Sequence, residues 1–301
     1  MRVSDIPTSE IEQRLRKGHF AFSMAPFALK VKSSIPSVGQ NIQRLYGDYP
    51  VLDSNRATDF QVELSAPKGV RRLFRPQVNF SFDGHLPFKP LPQKQAFALF
   101  EWGVNWCIAT NAHHYLIIHS AVVARNNQAI ILPGEPGAGK STLCAALICR
   151  GWRLLSDEMT LIDPKTLEII PIPRPVSLKN QSIELIKQYA PDSVFGDTAY
   201  DTIKGTVSHM RPPNNSVLHS LTPAKLLAVV FPRYLAGAEL TLTEQEKSKT
   251  LMQLAENSFN YHIHGTDGFE VLKRLADKAS CFRLSYSHLD DAITCMNSVL
   301  K

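Results

Sequence analysis

Cysteine is scarce in this chain of 301 residues, and the number and spacing of the cysteines exclude two kinds of structural cross-link. The five cysteines, Cys107, Cys144, Cys149, Cys281 and Cys295, are an odd number and form no C-x-x-C pair. This pattern excludes a disulfide framework and a structural zinc site. We therefore expect a protein of the reducing cytoplasm.

Long apolar runs are also missing. A run such as Leu226–Phe231 is far shorter than the roughly 18 residues that span a bilayer. Residues 1–20 mix acids and bases without an apolar centre, so we expect no signal peptide and no membrane partner. With 44% hydrophobic and 20% charged residues, the composition is that of a globular protein and excludes a disordered or fibrous chain.

The excess of positive charge lies in the first third of the chain. The first 100 residues carry 14 Lys or Arg against 8 Asp or Glu, which accounts for the whole net charge of +6. The cluster Lys68, Arg71, Arg72 and Arg75 could attract an acidic partner, and a solvated loop is the alternative interpretation. Because no DNA- or RNA-recognition motif accompanies the cluster, we expect no nucleic-acid partner.

The pattern of apolar residues predicts two domains. Residues 1–92 are predicted to be a small strand-rich domain, because Asp59–Leu64 and Val78–Phe82 alternate apolar and polar side chains. The proline-rich segment Leu86–Gln93 breaks regular pairing and marks the boundary to a second domain over residues 93–301. In the same domain, the segment His19–Val31 is predicted to be rich in strands, and Ile42–Tyr46 is predicted to be a short helix.

The second domain has the pattern of an α/β fold, a mixed sheet flanked by helices. Near-continuous apolar runs predict buried strands over Tyr115–Ala124 and Gln128–Gly134. The segment Pro171–Pro223 contains seven prolines and is predicted to be mostly loop. The other predicted elements are helices over Gln93–Ala112 and Ser141–Arg150, strands over Trp152–Leu155 and Lys225–Phe231, a hairpin of Met159–Ile162 with Leu167–Ile170, and mainly helix over Thr243–Leu300 with a break at Phe282–Tyr286.

A glycine-rich motif of the form G-x-x-x-x-G-K-[ST] follows the second of these strands. Its glycines let several backbone N–H groups point at one anion, and the next helix adds the positive end of its dipole. Lys140 can reach the β- and γ-phosphates of a nucleotide, and the Ser141 hydroxyl can bind the Mg²⁺ that they carry. The motif therefore predicts a P-loop. The residues expected to bind the nucleotide are Gly134, Glu135, Pro136, Gly137, Ala138, Gly139, Lys140, Ser141 and Thr142.

Two acids follow the next predicted strand, about 17 residues after Lys140. Of Asp157 and Glu158, one can take the proton of an attacking hydroxyl while the other holds Mg²⁺, and capping of a turn is the alternative. His119 lies in the strand before the P-loop strand, where a hydrogen-bonded core histidine is the alternative to a role in the site. The absence of N-K-x-D, D-x-x-G and L-S-G-G-Q motifs excludes the common GTPases and transporter ATPases.

Three segments together resemble the catalytic core of HPr kinase/phosphorylase, a bacterial serine kinase. They are His119-Ser-Ala-Val-Val, GEPGAGKST and RGWRLLSDE, all within Tyr115–Asp163. The chain as a whole is similar to the HprK-related kinase A proteins, through RPVSLKN (Arg174–Asn180), KGTVSHMRPP (Lys204–Pro213) and the C-terminal segments NSFN, GTDGF and YSHLDDA. This resemblance implies a P-loop kinase core of the HPr-kinase type. It also implies ATP and Mg²⁺ as cofactors and a protein or peptide substrate with an acceptor serine, and it leaves a homo-oligomer open.

The resemblance also implies roles for single residues. Asp157 would be the general base that receives the proton of the substrate serine. Lys140 would neutralise the transferred phosphoryl group, and His119 would lie beside that group. Ser141 would be a Mg²⁺ ligand, and the pairing of two adjacent acids at the strand end leaves Glu158 as the second expected ligand.

The chain departs from the family pattern at a second metal ligand. The family's E-I-R-G segment corresponds to residues 202–205, Thr-Ile-Lys-Gly, so Thr202 stands where the family has Glu. Asp201 could replace that ligand only after a shift of one residue. Arg211 and Arg174 are expected to contact a substrate phosphate or an acidic peptide, and an ordinary loop position is the alternative for each.

The function expected from these features is ATP- and Mg²⁺-dependent transfer of the γ-phosphate to a serine or threonine hydroxyl. The N-terminal domain with its basic cluster would recognise the protein or peptide substrate. Two alternatives remain open: a small-molecule kinase built on the same core, and a non-catalytic module that binds nucleotide as a switch. In the second of these, the missing glutamate would reflect lost catalysis.

Overall fold

The computed structural model describes residues 1–67 and 74–300, which form a mixed α/β structure with several sheets flanked by helices. Of the predicted basic cluster, Lys68, Arg71 and Arg72 lie outside these ranges, and Arg75 is exposed. Within the described ranges, no helix has the length and apolar character needed to cross a lipid bilayer.

The N-terminal part contains a mixed six-stranded sheet with the strand order β3-β1-β2-β4-β5-β6. Helices α1 and α2 pack on each other and on the β1–β2 hairpin. The strands predicted in this part are confirmed as β1, β2, β4 and β5. The bounds are β1 Phe20–Met24, β2 Phe27–Ser33, β3 Val51–Leu52, β4 Phe60–Ser65, β5 Gln77–Phe82, β6 Leu91–Pro92, α1 Thr8–Lys17 and α2 Pro36–Leu45.

Helical content in this part is higher than predicted. Helix α1 has no counterpart in the prediction, and α2 begins six residues before the short helix predicted over Ile42–Tyr46. In α1 only Ile11 and Leu15 are buried, one turn apart, and its other residues are mostly polar. Two apolar positions are too few to give a helical period in the sequence, although they suffice to attach the helix to the sheet.

The described residues of the C-terminal part form a nine-stranded mixed sheet. Its main path has the order β10-β8-β9-β16-β12-β11-β7, and β18 pairs with both β16 and β17. The strands are β7 Leu116–Ile118, β8 Ser120–Arg125, β9 Gln128–Pro133, β10 Arg153–Ser156, β11 Thr160–Ile162, β12 Glu168–Ile170, β16 Ala224–Tyr234, β17 Thr241–Glu244 and β18 Ser280–Tyr286. The helices around it are α3 Ala96–Asn111, α4 Lys140–Cys149, α7 Lys247–Glu256, α8 Gly265–Lys278 and α9 Leu289–Ser298.

Both faces of this sheet are covered by helices, as the apolar runs predict. Ile130 and Leu132 of β9 belong to the cluster formed with α4 and α9, whereas Ala129 and Ile131 belong to the cluster formed with α7 and α8. Successive side chains of a strand point to opposite faces, so a strand covered on both sides must be apolar throughout.

The helix predicted over Gln93–Ala112 is confirmed as α3, and the hairpin around Pro164 is confirmed as β11 and β12. The single strand predicted over Tyr115–Ala124 is wrong, because β7 ends before His119 and β8 begins after it. β7 pairs with β11, whereas β8 pairs with β9 and β10. The His119 N–H donates to the Asn257 carbonyl at 2.7 Å instead of to a neighbouring strand of the sheet.

The segment Pro171–Pro223, predicted to be rich in loops, also contains helices and strands that the sequence did not predict. All seven prolines lie outside the helices and strands of the segment, so they separate its elements and do not interrupt them. These elements include a three-stranded sheet with the order β13-β15-β14. They are β13 Val176–Lys179, α5 Gln181–Tyr189, β14 Ala199–Thr202, β15 Gly205–Met210 and α6 Asn214–Leu218.

One hydrophobic core extends across the proposed boundary at residue 92. It joins Phe80 of β5 to Phe100 and Val104 of α3, and continues to Leu161 of β11. An ion pair between Arg211 and Asp48, 2.6 Å apart, adds a second contact between the two parts. The division into residues 1–92 and 93–301 stays a prediction, but the two parts pack as neighbours.

Gly103→Ala is expected to destabilise the protein, because α3 lies against Phe80 at this glycine. A Cβ on Gly103 would lie 2.0 Å from Cε2 of Phe80. We expect a loss of about 1–3 kcal/mol in the free energy of unfolding, despite the ~1 kcal/mol that alanine gains in a helix. Urea denaturation measures the loss, and adding Phe80→Leu should recover part of it. A single variant as stable as the wild type would contradict this packing.

Candidate functional site

The register of the nine-stranded sheet brings the predicted site segments to one edge. β9 and β10 both pair antiparallel with β8, so they run parallel to each other and end on the same side. Pro133 at the end of β9 pairs with Ser120 at the start of β8. The loop after β9, the acids after β10 and His119 before β8 therefore meet at this edge.

The glycine-rich loop connects β9 directly to α4, which is the strand–loop–helix arrangement that the motif requires. Gly134, Gly137 and Gly139 have φ values of 148°, 87° and 90°, which favour glycine. A Cβ on Gly137 would have nothing within 4 Å, so the backbone there faces open space. Helix α4 begins at Lys140, one residue earlier than predicted. The N–H groups at such a helix start can hold an anion.

The ammonium group of Lys140 lies inside this loop. It donates hydrogen bonds to the carbonyl oxygens of Gly134 and Glu135, the second at 3.0 Å. Burial lowers the pKa of Lys140, and the charges of Glu158 and Asp157 act against this shift. The Lys140 ammonium therefore bonds to the loop and also feels the negative charges of Asp157 and Glu158.

Asp157 is buried behind the loop, with 5% of its surface exposed. Its Oδ2 accepts a hydrogen bond from the Ser177 backbone N–H at 2.9 Å, and its Oδ1 has no hydrogen-bond partner within residues 1–67 and 74–300. Burial raises the pKa of Asp157, and the charge of Glu158 adds to the shift. The Ser177 N–H and the Ser141 hydroxyl act in the opposite direction and lower the same pKa.

Glu158 is more accessible than Asp157 and lies beside His119. Its Oε2 is 3.7 Å from Nε2 of His119, and 21% of its side chain is exposed. Burial acts to raise the pKa of Glu158, but the neighbouring His119 and the charges of Lys179 and Lys204 hold it below its ordinary value. The two adjacent acids therefore differ: burial favours the neutral form of Asp157, whereas nearby cations favour the charged form of Glu158.

The oxygen atoms of Ser141, Asp157 and Glu158 suit Mg²⁺, which prefers one or two carboxylates together with substrate phosphates. In the ranges that the structure describes, no group of three or more His, Cys, Asp and Glu forms a complete metal cage. Thr142, which is also among the residues predicted to bind the nucleotide, lies in the first turn of α4 and is half-buried. The residues present thus fit a metal carried by a nucleotide, and they fit a protein-only metal centre poorly.

Both arginines expected to contact a substrate are engaged in ion pairs within the chain. Arg174 is 7% exposed, and its Nη2 lies 2.6 Å from Oε2 of Glu101. Arg211 Nη2 lies 2.6 Å from Oδ2 of Asp48. The structure favours structural roles for both residues over the predicted substrate contacts.

Thr202 uses its hydroxyl to form hydrogen bonds within a turn. Thr202 Oγ1 donates to the Gly205 carbonyl at 2.6 Å and accepts the Lys204 N–H at 3.0 Å. Asp201 is exposed and has a φ of 53° in the same turn. The hydroxyl of Thr202 is therefore used within the β14–β15 hairpin.

Lys179 and Lys204 are outside the predicted site, yet their charges act on Glu158. The Lys204 ammonium lies 5.3 Å from the centre of the Trp102 ring, and burial lowers its pKa. Both lysines belong to segments that carry the family resemblance, RPVSLKN and KGTVSHMRPP, and this was the signal by which they could have been found.

Two tyrosines that sequence reasoning missed contact the loop. β16 runs parallel to β9 and β18 runs parallel to β16, so Tyr234 and Tyr286 reach the same sheet edge. The Tyr234 N–H donates to the Ala138 carbonyl at 3.1 Å, and the Tyr286 hydroxyl donates to the Gly139 carbonyl at 3.3 Å. These contacts hold the end of the loop.

The likeness of this chain to known proteins is distant. Among solved structures, the Hpr(Ser) kinase/phosphatase from Coxiella burnetii matches over 61% of this chain and 93% of its own, with 10% sequence identity and a TM-score of 0.29. No protein-family model and no curated protein matches this chain. This neighbour is too dissimilar to decide fold or function, so the roles inferred from the motifs stay predictions.

Gly139→Ala is expected to destabilise the protein more than Gly137→Ala. The two glycines have φ values of 90° and 87°, so both variants carry a similar backbone cost of roughly 1–2 kcal/mol. Only Gly139 would place a Cβ 2.7 Å from the Tyr286 hydroxyl and 3.1 Å from Cβ of Tyr234. We expect this contact to cost about 1–3 kcal/mol more, measured by urea denaturation.

Tyr286→Phe, which removes the contacting oxygen, should restore part of that difference in the Gly139→Ala background. Equal stabilities of Gly137→Ala and Gly139→Ala would contradict the close approach of Tyr286 to the loop.

Proposed function

We propose that this protein is an ATP- and Mg²⁺-dependent phosphotransferase that transfers the γ-phosphate to a serine or threonine hydroxyl of a protein or peptide. The observation that carries the proposal is the meeting of three segments at one sheet edge. The glycine-rich loop ends at Lys140 and Ser141, and Asp157 and Glu158 lie opposite them. Phosphoryl transfer needs little besides phosphate binding, charge neutralisation and a group that orients or deprotonates the acceptor.

The nucleotide would bind with its phosphates along the loop, held by the N–H groups at the start of α4 and by Lys140. When bound, the metal supplies positive charge that stabilises the γ-phosphate during transfer. Ser141 and Glu158 are the proposed ligands of that metal. Lys140 would exchange its bonds to the loop carbonyls for bonds to phosphate oxygens, which keeps its charge satisfied in both states.

Asp157 is the proposed general base. Its Oδ2 is held by the Ser177 N–H, which orients the carboxylate and leaves Oδ1 to accept the proton of the acceptor hydroxyl. The raised pKa of Asp157 suits this role, because a base with a pKa nearer to neutral takes a proton more readily than an ordinary carboxylate. His119 contacts Glu158 at the same edge and would lie beside the transferred group.

A non-catalytic nucleotide-binding module is the second candidate function. The specific observation in its favour is Thr202, which stands in place of the family's second metal glutamate and uses its hydroxyl within a turn. A protein of this kind would bind Mg-ATP through the same loop and transfer no phosphate.

Asp157→Asn is expected to reduce phosphoryl transfer by about 100-fold or more, because the amide cannot accept the hydroxyl proton. The measurement is transfer of radiolabelled γ-phosphate to an array of serine-containing peptides. Asp192→Asn, which changes an exposed acid away from the site, is the matched control and should transfer at the wild-type rate. If Asp157→Asn transfers phosphate at the wild-type rate, Asp157 is not the general base. If the unsubstituted protein binds Mg-ATP but transfers no phosphate, the non-catalytic nucleotide-binding module is favoured.

Lys140→Met is expected to weaken Mg-ATP binding by about tenfold to 100-fold, since a hydrogen bond to a charged group contributes roughly 1.5–3 kcal/mol. Isothermal titration calorimetry measures the affinity. Lys225→Met, an exposed lysine of β16, is the control for the loss of one positive charge. Equal affinities of the two variants would place the nucleotide elsewhere.

A further inference from the structure

A small cavity lies behind Asp157, between α3, the turn after β10 and the β13–β15 pair. Its volume is ≈ 10 Å³, which is about the room that one water molecule needs. Residues of four separate segments line it, among them Trp102 of α3, Arg174, Ser177 of β13 and His209 of β15. Ser177 and His209 are directly paired across the two strands, so their side chains share the face that borders the cavity.

Buried polar atoms without partners are concentrated around this cavity. Ten such side-chain atoms occur within residues 1–67 and 74–300, and five of them belong to cavity-lining residues. One is Oδ1 of Asp157, the proton acceptor of the proposed reaction. The other four are Nε1 of Trp102, Nε of Arg174, Oγ of Ser177 and Nε2 of His209.

Burial makes these four atoms costly to leave unbonded. Arg174, Ser177 and His209 are 7%, 4% and 2% exposed, and a buried polar atom without a partner destabilises a protein because it has lost its hydrogen bonds to water. Native proteins keep few such atoms. Their concentration around one cavity indicates a shared partner and argues against four independent defects.

The chemistry of the four atoms matches a water molecule. The N–H groups of Trp102 and Arg174 can only donate, whereas the Ser177 hydroxyl and a neutral histidine nitrogen can accept. Burial lowers the pKa of His209, so its ring is neutral near neutral pH. Two donors would repel a cation, and the carboxylates of Glu101 and Asp157, which also line the cavity, would repel an anion. A neutral molecule with two donors and two acceptors remains.

We propose that this cavity holds one resident water molecule, bound by Trp102, Arg174, Ser177 and His209, which fixes the Ser177 backbone against Asp157. The water accepts from the two N–H groups and donates to the hydroxyl and the imidazole. The Ser177 N–H is the group that holds Oδ2 of Asp157. Ser177 and His209 are therefore positioning residues, and they touch neither the nucleotide nor the acceptor.

The water itself does not depend on the proposed function, but its effect on turnover does. The first test is a crystal structure of the full-length protein at a resolution that shows ordered waters. Density for one water within hydrogen-bond distance of the four atoms is expected. A wild-type cavity without density would overturn the proposal, whether or not the chain is a kinase.

The second test compares His209→Leu with His209→Gln. Leucine removes the acceptor and should release the water, whereas glutamine retains a polar end group. Hydrogen exchange at the Ser177 amide should be about tenfold faster in His209→Leu, with His209→Gln closer to the wild type. Phosphoryl transfer by His209→Leu should lose about tenfold in kcat with an unchanged KM for Mg-ATP, because a misplaced base slows the chemical step and leaves nucleotide binding intact.

Ser177→Ala is the second variant if His209→Leu fails to fold, and its expected changes in exchange and kcat have the same direction. Thr58→Val removes another buried hydroxyl that has no partner in the described ranges and lies away from this cavity, so it should change neither quantity. Unchanged exchange at Ser177 in a variant that has lost the water would overturn the positioning role. Faster exchange without any phosphoryl transfer by the wild type would support the water site and reject the kinase.

Discussion

The antiparallel pairing of β8 with both of its neighbours is the constraint on which the candidate site depends. Because β9 and β10 each run against β8, their carboxyl ends must lie on the same side of the sheet. The glycine-rich loop leaves one of these ends, and Asp157 and Glu158 leave the other. The short chain between them, a ten-residue helix and one turn, is enough to make the crossover. His119 joins the same edge because it directly precedes Ser120, which pairs with Pro133 at the end of β9.

The N-terminal part supports this edge from behind. Tyr46, the residue directly after α2, donates a hydrogen bond to Oε1 of Glu101 at 2.7 Å, and the other oxygen of Glu101 pairs with Arg174. Arg174 and Glu101 in turn line the cavity behind Asp157. A buried ion pair is costly to desolvate and adds little net stability, but it fixes the positions of the groups that it joins. Three hydrogen-bonded side chains, Tyr46, Glu101 and Arg174, thus link the N-terminal part to the wall of the cavity that Asp157 also lines.

The loop and its neighbouring acids were predictable because their physics is local. Only glycine adopts the backbone of the loop easily, as the φ values of Gly134, Gly137 and Gly139 show, and these positions are visible in the sequence. Buried strands such as β9 and β16 were predictable for a similar reason, since burial on both faces demands a continuous apolar run. Helix α1 and the β13–β15–β14 sheet were not, because few apolar positions and flanking prolines obscured their periods.

The sequence by itself therefore determined the α/β class, the glycine-rich loop between a strand and a helix, and the two acids that follow it. Only the tertiary structure decided how each group is paired. It placed Arg174 and Arg211 in internal ion pairs, brought Lys179 and Lys204 into the field of Glu158, and gathered four unpartnered atoms around one cavity. Pairing depends on which residues distant in sequence become neighbours and lose water. The local amino-acid composition does not show which distant residues will become neighbours.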